Sequence, residues 1–255
     1  MDSLGLRAWL FDVDGVLTDT ASVHAEAWKQ VLDGLLGRRD QAPFDPVVDY
    51  ERHLDGRPGA AGVRSFLASR GIVLPDAGHA DAGHPTIESV GKEENECFLA
   101  LLRAHGVRPY PSSLALVRAL LDAGRLTAAV SSGEHCVPIL EAAGMHGLFY
   151  VVVDGKVATT RHLKGKPAPD TYWYAAALLG VRPREAAVVE DALAGVRAGQ
   201  IGEFGYVVGI ARRATPRLLF EAGADVVVSD LGDFAELMAL LTRWAKTPVA
   251  SGAAR

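Results

Sequence analysis

The sequence predicts an α/β protein, a doubly wound parallel sheet covered by helices on both faces and interrupted by a helical insert. Two features predict it. Short apolar runs bounded by Gly or Asp recur along the chain with helical patterns between the later ones, and the first two runs are separated by far more chain than one crossover helix requires.

The first run, Ala8 to Phe11, is apolar throughout, as a strand buried on both faces must be. Helical signals follow at Ala25 to Leu36, Ala61 to Ser69 and Glu93 to Arg103, with few strand signals among them. They place a small helical domain at 21–105, with joints near Thr18–Ser22 and His105–Pro111. Within it, Asp76 to Pro85 is rich in Gly, Asp and His and reads as a solvated loop in preference to a metal site. The strand pattern resumes at Leu126 to Val130 and Tyr150 to Val153. It continues at Ala186 to Val189, Tyr206 to Ile210 and Asp225 to Val228, with helices expected at Thr171 to Leu179 and Ala192 to Gln200. The expected division is therefore a core of 1–20 with 106–246, the insert, and a small polar tail at 247–255 that frays.

A chain of 255 residues, 49% hydrophobic and 22% charged, buries a proper core. Its net charge of -5 leaves no basic footprint for nucleic acid, so a small anionic ligand needs a local positive site. Cys97 and Cys136 are too few for a disulfide framework and too far apart for a metal knuckle. The start lacks a signal-peptide pattern and no segment is long enough to span a bilayer, so a soluble, cytoplasmic protein is expected, acting as a monomer without a membrane partner.

Four motifs carry chemistry. Asp12 and Asp14, in Phe11-Asp12-Val13-Asp14-Gly15-Val16, leave the first strand at the edge where open α/β sheets place ligands. Two carboxylates together there bind a hard cation or push one pKa upward, though a solvated Asp-x-Asp turn has the same composition. Val130-Ser131-Ser132-Gly133 offers hydroxyl and main-chain donors to an anion after the second strand, or simply caps a helix. Gly165-Lys166-Pro167-Ala168-Pro169-Asp170 pins an ammonium between prolines, or begins an ordinary surface helix. Glu190 and Asp191 end the fourth strand, where two acids after an apolar run are costly unless a cation or water meets them.

In this order, Asp-x-Asp-Gly, Ser, Lys-Pro-x-Pro-Asp and Glu-Asp on successive strand ends resemble the haloacid dehalogenase superfamily of phosphotransferases over essentially the whole chain. Phe11 to Ala21, with His24 and Trp28, is similar to its β-phosphoglucomutase branch. The resemblance implies a Rossmann-like core with the insert as a helical cap, and Mg²⁺ as cofactor. Asp12 would be the nucleophile and Asp14 the general acid and base; Ser131, Ser132 and Lys166 would hold phosphoryl oxygens. Asp12, the Asp14 carbonyl, Glu190 and Asp191 would hold the metal. Thr20, His24, Trp28, Gly56, Arg57 and His135 fall at the branch's substrate and cap positions. The implied partner is a small sugar phosphate, with a glucose bisphosphate as activator.

The chain departs from the branch where a second phosphate would dock. A cap-loop arginine is Gly59, with Arg57 nearby to stand in; a cap lysine is Glu93 or Glu94, beside Lys92; and Gly133 and His135 replace a serine and an asparagine. A dehalogenase would need neither Asp14 nor the Glu190–Asp191 pair. A non-enzymatic receiver module would carry its phosphorylated aspartate after a later strand, without an insert. The contest left by the sequence is between a mutase and a phosphatase.

Overall fold

The computed structural model describes residues 5–54, 59–77, 85–212 and 214–234. Gly56 and Arg57 of the cap loop, most of the His-rich loop and the tail lie outside them. The elements in chain order are β1 (Ala8–Phe11), α1 (Thr20–Gly37), α2 (Gly59–Ser69), α3 (Ile87–His105), α4 (Pro111–Asp122) and β2 (Leu126–Val130). There follow α5 (Cys136–Ala142), β3 (Val151–Val153), α6 (Gly155–Thr160), α7 (Asp170–Leu178), β4 (Ala186–Glu190), α8 (Leu193–Ile201), β5 (Tyr206–Ile210), α9 (Pro216–Glu221) and β6 (Val226–Val228).

The chain divides into two compact units, Met1–Thr18 with Pro109–Arg255, and Asp19–Arg108. In the first, six parallel strands form one sheet in the order β3-β2-β1-β4-β5-β6. Strand order reverses direction between β1 and β4, the switch point at whose carboxyl ends such sheets bind ligands. β1 is buried along its whole length. Ala8 and Leu10 enter one apolar core with Val130, Val188 and Tyr172, while Trp9 and Phe11 face the other way and meet Phe234 and Phe149 edge-on.

Immediately after β1 the chain turns sharply. The Leu17 and Thr18 N–H groups both donate to the Val13 carbonyl and Gly15 N–H to Thr18, with Gly15 at φ 89, a conformation that a side chain resists. Thr18 then pairs with Pro109, and Tyr110 N–H donates to Leu17, so the outgoing and returning passages run side by side.

The second unit is helical. Trp28, Leu32 and Leu36 of α1, Phe66 of α2 and Val90 of α3 share an apolar cluster with Phe44 and Leu54. The helix α1 begins at Thr20, five residues before the apolar periodicity becomes visible, and α3 begins at Ile87. Thr86 and Ser89 form a reciprocal capping box that starts α3, a Thr-x-x-Ser variant of the usual Glu- or Gln-bearing signature.

Candidate active site

Every motif of the core unit except the exposed Ser132 and the half-buried His135 meets at the carboxyl edge of the sheet. Asp12 continues β1, its N–H donating to Val189 at 3.0 Å, and only 7% of its surface remains exposed. Lys166 reaches it from the loop before α7, its Nζ lying 2.5 Å from Asp12 Oδ1, 2.7 Å from Glu190 Oε1 and 3.2 Å from the Val130 carbonyl. An ammonium has three protons, and these acceptors use all of them.

Glu190 is 1% exposed and is held at both oxygens. Oε1 accepts from Lys166 and from the Tyr172 hydroxyl at 2.9 Å; Oε2 accepts from the Asp191 and Ala192 N–H groups, each at 3.1 Å. Gly195 makes room for it, since a Cβ there would overlap the Glu190 carboxyl group. Ser131, also buried, donates from Oγ to Asp14 Oδ2 at 3.2 Å and accepts from Gly133 N–H at 3.0 Å. The Ser131 loop is tied to α6 through Gly155 N–H, which donates to the Gly133 carbonyl at 2.8 Å.

Lys166 thus lies between two carboxylates, Asp12 and Glu190, while Asp14 and Asp191 bring their charges to bear on Asp12. Burial, then the charges of Glu190, Asp14 and Asp191, raise the proton affinity of Asp12 well above the carboxylate range against the pull of Lys166. Burial alone would lower the Lys166 pKa, but Asp12 and Glu190 outweigh it and keep the ammonium charged. The same cluster can take a hard cation, because Asp12, Glu190 and Asp191 each bring a carboxylate oxygen to within 4.8 Å of the others. Oxygen-only donors with surplus negative charge suit Mg²⁺. Burial pushes the Cys136 thiol far upward, so it is no thiolate.

Thr20, His24 and Trp28 belong to the second unit. Thr20 is buried at the start of α1, and Trp28 lies in that unit's apolar cluster. His24 Nδ1 donates to Glu94 Oε1 at 2.9 Å, and its ring lies flat on Phe98 with centroids 4.0 Å apart. Glu94 is therefore a buried partner of His24, whereas Glu93 and Lys92 are exposed. Sequence reasoning missed Tyr172, whose ring also lies 4.9 Å from Lys166 Nζ. Its only signal was a hydroxyl two residues beyond the Lys-Pro-x-Pro-Asp motif.

Residues 6–201 match the model of the haloacid dehalogenase-like hydrolase family. A β-phosphoglucomutase of Mycobacterium bovis is 44% identical over 238 residues, spanning 89% of this chain and 91% of that protein. Hexitol phosphatase A of Escherichia coli is 30% identical over 215 residues, covering 83% and 87%. Among solved structures, β-phosphoglucomutase from Clostridium difficile aligns with a TM-score of 0.71 over 94% of this chain and 99% of its own, at 19% identity, a likeness of fold alone. A lysine held between two carboxylates at the switch point of such a sheet, in a chain matched along most of its length, is thus accounted for by descent: the protein belongs to the haloacid dehalogenase superfamily, in its β-phosphoglucomutase-like branch, and is a phosphotransferase or phosphatase.

Proposed function

We propose that this enzyme transfers a phosphoryl group through an aspartyl-phosphate on Asp12 and interconverts β-glucose 1-phosphate and glucose 6-phosphate. The observation that carries the chemistry is the placement of Lys166 between Asp12 and Glu190, with Asp14 two residues on and held by Ser131. The mycobacterial relative supports the choice of substrate.

Asp12 attacks phosphorus as the carboxylate, forming the Asp12 O–P bond as the bond from phosphorus to the sugar oxygen breaks. Asp14 protonates that departing oxygen and later takes the proton of the hydroxyl that attacks the aspartyl-phosphate. Lys166 and the Ser131–Ser132 loop hold the phosphoryl oxygens, lowering the repulsion between carboxylate and phosphate. Asp12, Glu190, Asp191 and the Asp14 carbonyl would hold Mg²⁺, which supplies further neutralisation of that charge. The unit Asp19–Arg108 would act as a cap, excluding water from the labile acyl phosphate.

In the mutase cycle, the 6-hydroxyl of β-glucose 1-phosphate takes the phosphoryl group from Asp12. The resulting bisphosphate turns over, and its 1-phosphate returns to Asp12. Hydrolysis of a sugar phosphate is the second reading, favoured by Gly133, which brings no side chain to the anion loop, and by the likeness to a hexitol phosphatase. Following both products from β-glucose 1-phosphate with Mg²⁺ and catalytic glucose 1,6-bisphosphate decides between them. Glucose 6-phosphate is expected; release of inorganic phosphate without it rejects the mutase reading, and neither product rejects both.

A further inference from the structure

Lys166 already donates all three of its protons within the protein, which leaves none for a substrate. Its acceptors are Asp12 Oδ1, Glu190 Oε1 and the Val130 carbonyl, and an ammonium offers three donors. Phosphoryl transfer as proposed above requires one of them to turn to a phosphoryl oxygen. Releasing Glu190 would ordinarily strand a buried carboxylate oxygen. Glu190 Oε1, however, has a second donor, the Tyr172 hydroxyl at 2.9 Å, while Oε2 is already occupied by two main-chain N–H groups.

Tyr172 is fixed in place. It is fully buried in α7, packs edge-on against Phe204, and presents its ring to the Lys166 ammonium at 4.9 Å. A phenylalanine would fill the same space and keep the ring contact, so packing alone does not call for the hydroxyl. We infer that Tyr172 is a positioning residue for phosphoryl transfer, holding Glu190 Oε1 so that Lys166 can pass a hydrogen bond from Glu190 to the phosphoryl group. The inference rests on the phosphoryl-transfer reading of the site. Without the hydroxyl, Lys166 is the one side-chain donor left to Glu190 Oε1 among the described residues and stays bound to it.

The test compares wild type with Tyr172→Phe, titrating inorganic phosphate into the Mg²⁺-saturated protein by calorimetry and, separately, MgCl₂ into the metal-free protein. Loss of one charge-assisted hydrogen bond should weaken phosphate binding about tenfold, with the Mg²⁺ affinity moving far less. A purely structural hydroxyl would lower the melting temperature and leave the phosphate affinity alone, which would overturn the inference; so would an equal loss of phosphate and Mg²⁺ binding. A second readout needs no variant at this position. With ¹³Cζ-labelled tyrosine, assigned by replacing the other tyrosines singly, the Tyr172 resonance of the Mg²⁺-loaded wild type should shift on adding phosphate, and an unmoved resonance counts against the role. If wild type itself binds no phosphate, the phosphoryl-transfer reading fails instead.

Discussion

Replacing Gly195 by alanine sets two effects of opposite sign against each other. Gly195 lies in α8, outside the left-handed region of backbone space, and on helix propensity alone the change should stabilise the protein by about 1 kcal/mol. The added Cβ, however, would stand 2.7 Å from Glu190 Cγ and overlap the carboxyl group. Glu190 must then shift, and even if the Asp191 and Ala192 N–H groups keep hold of Oε2, Oε1 gives up the donors Lys166 at 2.7 Å and Tyr172 at 2.9 Å. Each such charged hydrogen bond contributes about 1.5–3 kcal/mol, so the loss is about 3–6 kcal/mol and the net destabilisation about 2–5 kcal/mol. Gly34→Ala is the control: it lies exposed in α1 with nothing within 4 Å of the new methyl, and should stabilise by about 0.5–1 kcal/mol. Urea unfolding at neutral pH measures both, and a Mg²⁺ titration of Gly195→Ala should show weakened binding. If Gly195→Ala is as stable as wild type and takes Mg²⁺ equally well, the reasoning about Glu190 is wrong.

Magnesium should raise the melting temperature of the metal-free protein, adding about 2.7 kcal/mol at a hundredfold excess over its dissociation constant; Asp191→Asn should remove most of that gain, and a melting curve indifferent to Mg²⁺ would exclude the site. Asp14→Asn should lower turnover about 10²–10⁴-fold while beryllium trifluoride still binds at Asp12, and full activity in the variant would take the acid–base role from Asp14. Burial works to raise the Asp230 pKa, but the Gly232 N–H, the Ser112 hydroxyl and Arg212 together hold it below the ordinary value. A depressed folded-state pKa gives stability that is complete above about pH 4 and lost as pH falls through the folded value. Asp230→Asn should therefore cost stability at pH 7, by less than about 1 kcal/mol for so exposed a group, and progressively less below pH 4; an equal loss at pH 3 and pH 7 contradicts the assignment.

The carboxyl edge was legible because a parallel sheet turns sequence into position. β1, β2 and β4 are apolar toward their carboxyl ends, with Thr127 the one polar residue earlier in β2, so the first polar residue after or at each end, Asp12, Ser131 and Glu190, must emerge on the same side. Lys166 was legible as a motif and nothing more: its bond to Asp12 joins residues 154 apart in sequence, and only the strand order brings them together. Tyr172 was hidden because α7 is apolar nearly all round, and whether a hydroxyl in such a helix finds a partner depends on the strand it packs against. The helices α5, α6 and α9 span fewer than two or three turns, too few for periodicity to declare them.

Glu94 shows where reading by resemblance stops. Compared with the branch, Glu93 or Glu94 reads as a cation lost from a phosphate site, and of the two Glu94 is the buried one. Folded, it is a carboxylate with 6% of its side chain exposed, accepting from His24 Nδ1 while the imidazole lies flat against Phe98. A carboxylate so buried must be paired, and a lysine restored there would set a second cation against the imidazole whenever His24 is protonated. Within the Asp19–Arg108 unit it is paired with His24 and fixes the orientation of that ring against Phe98.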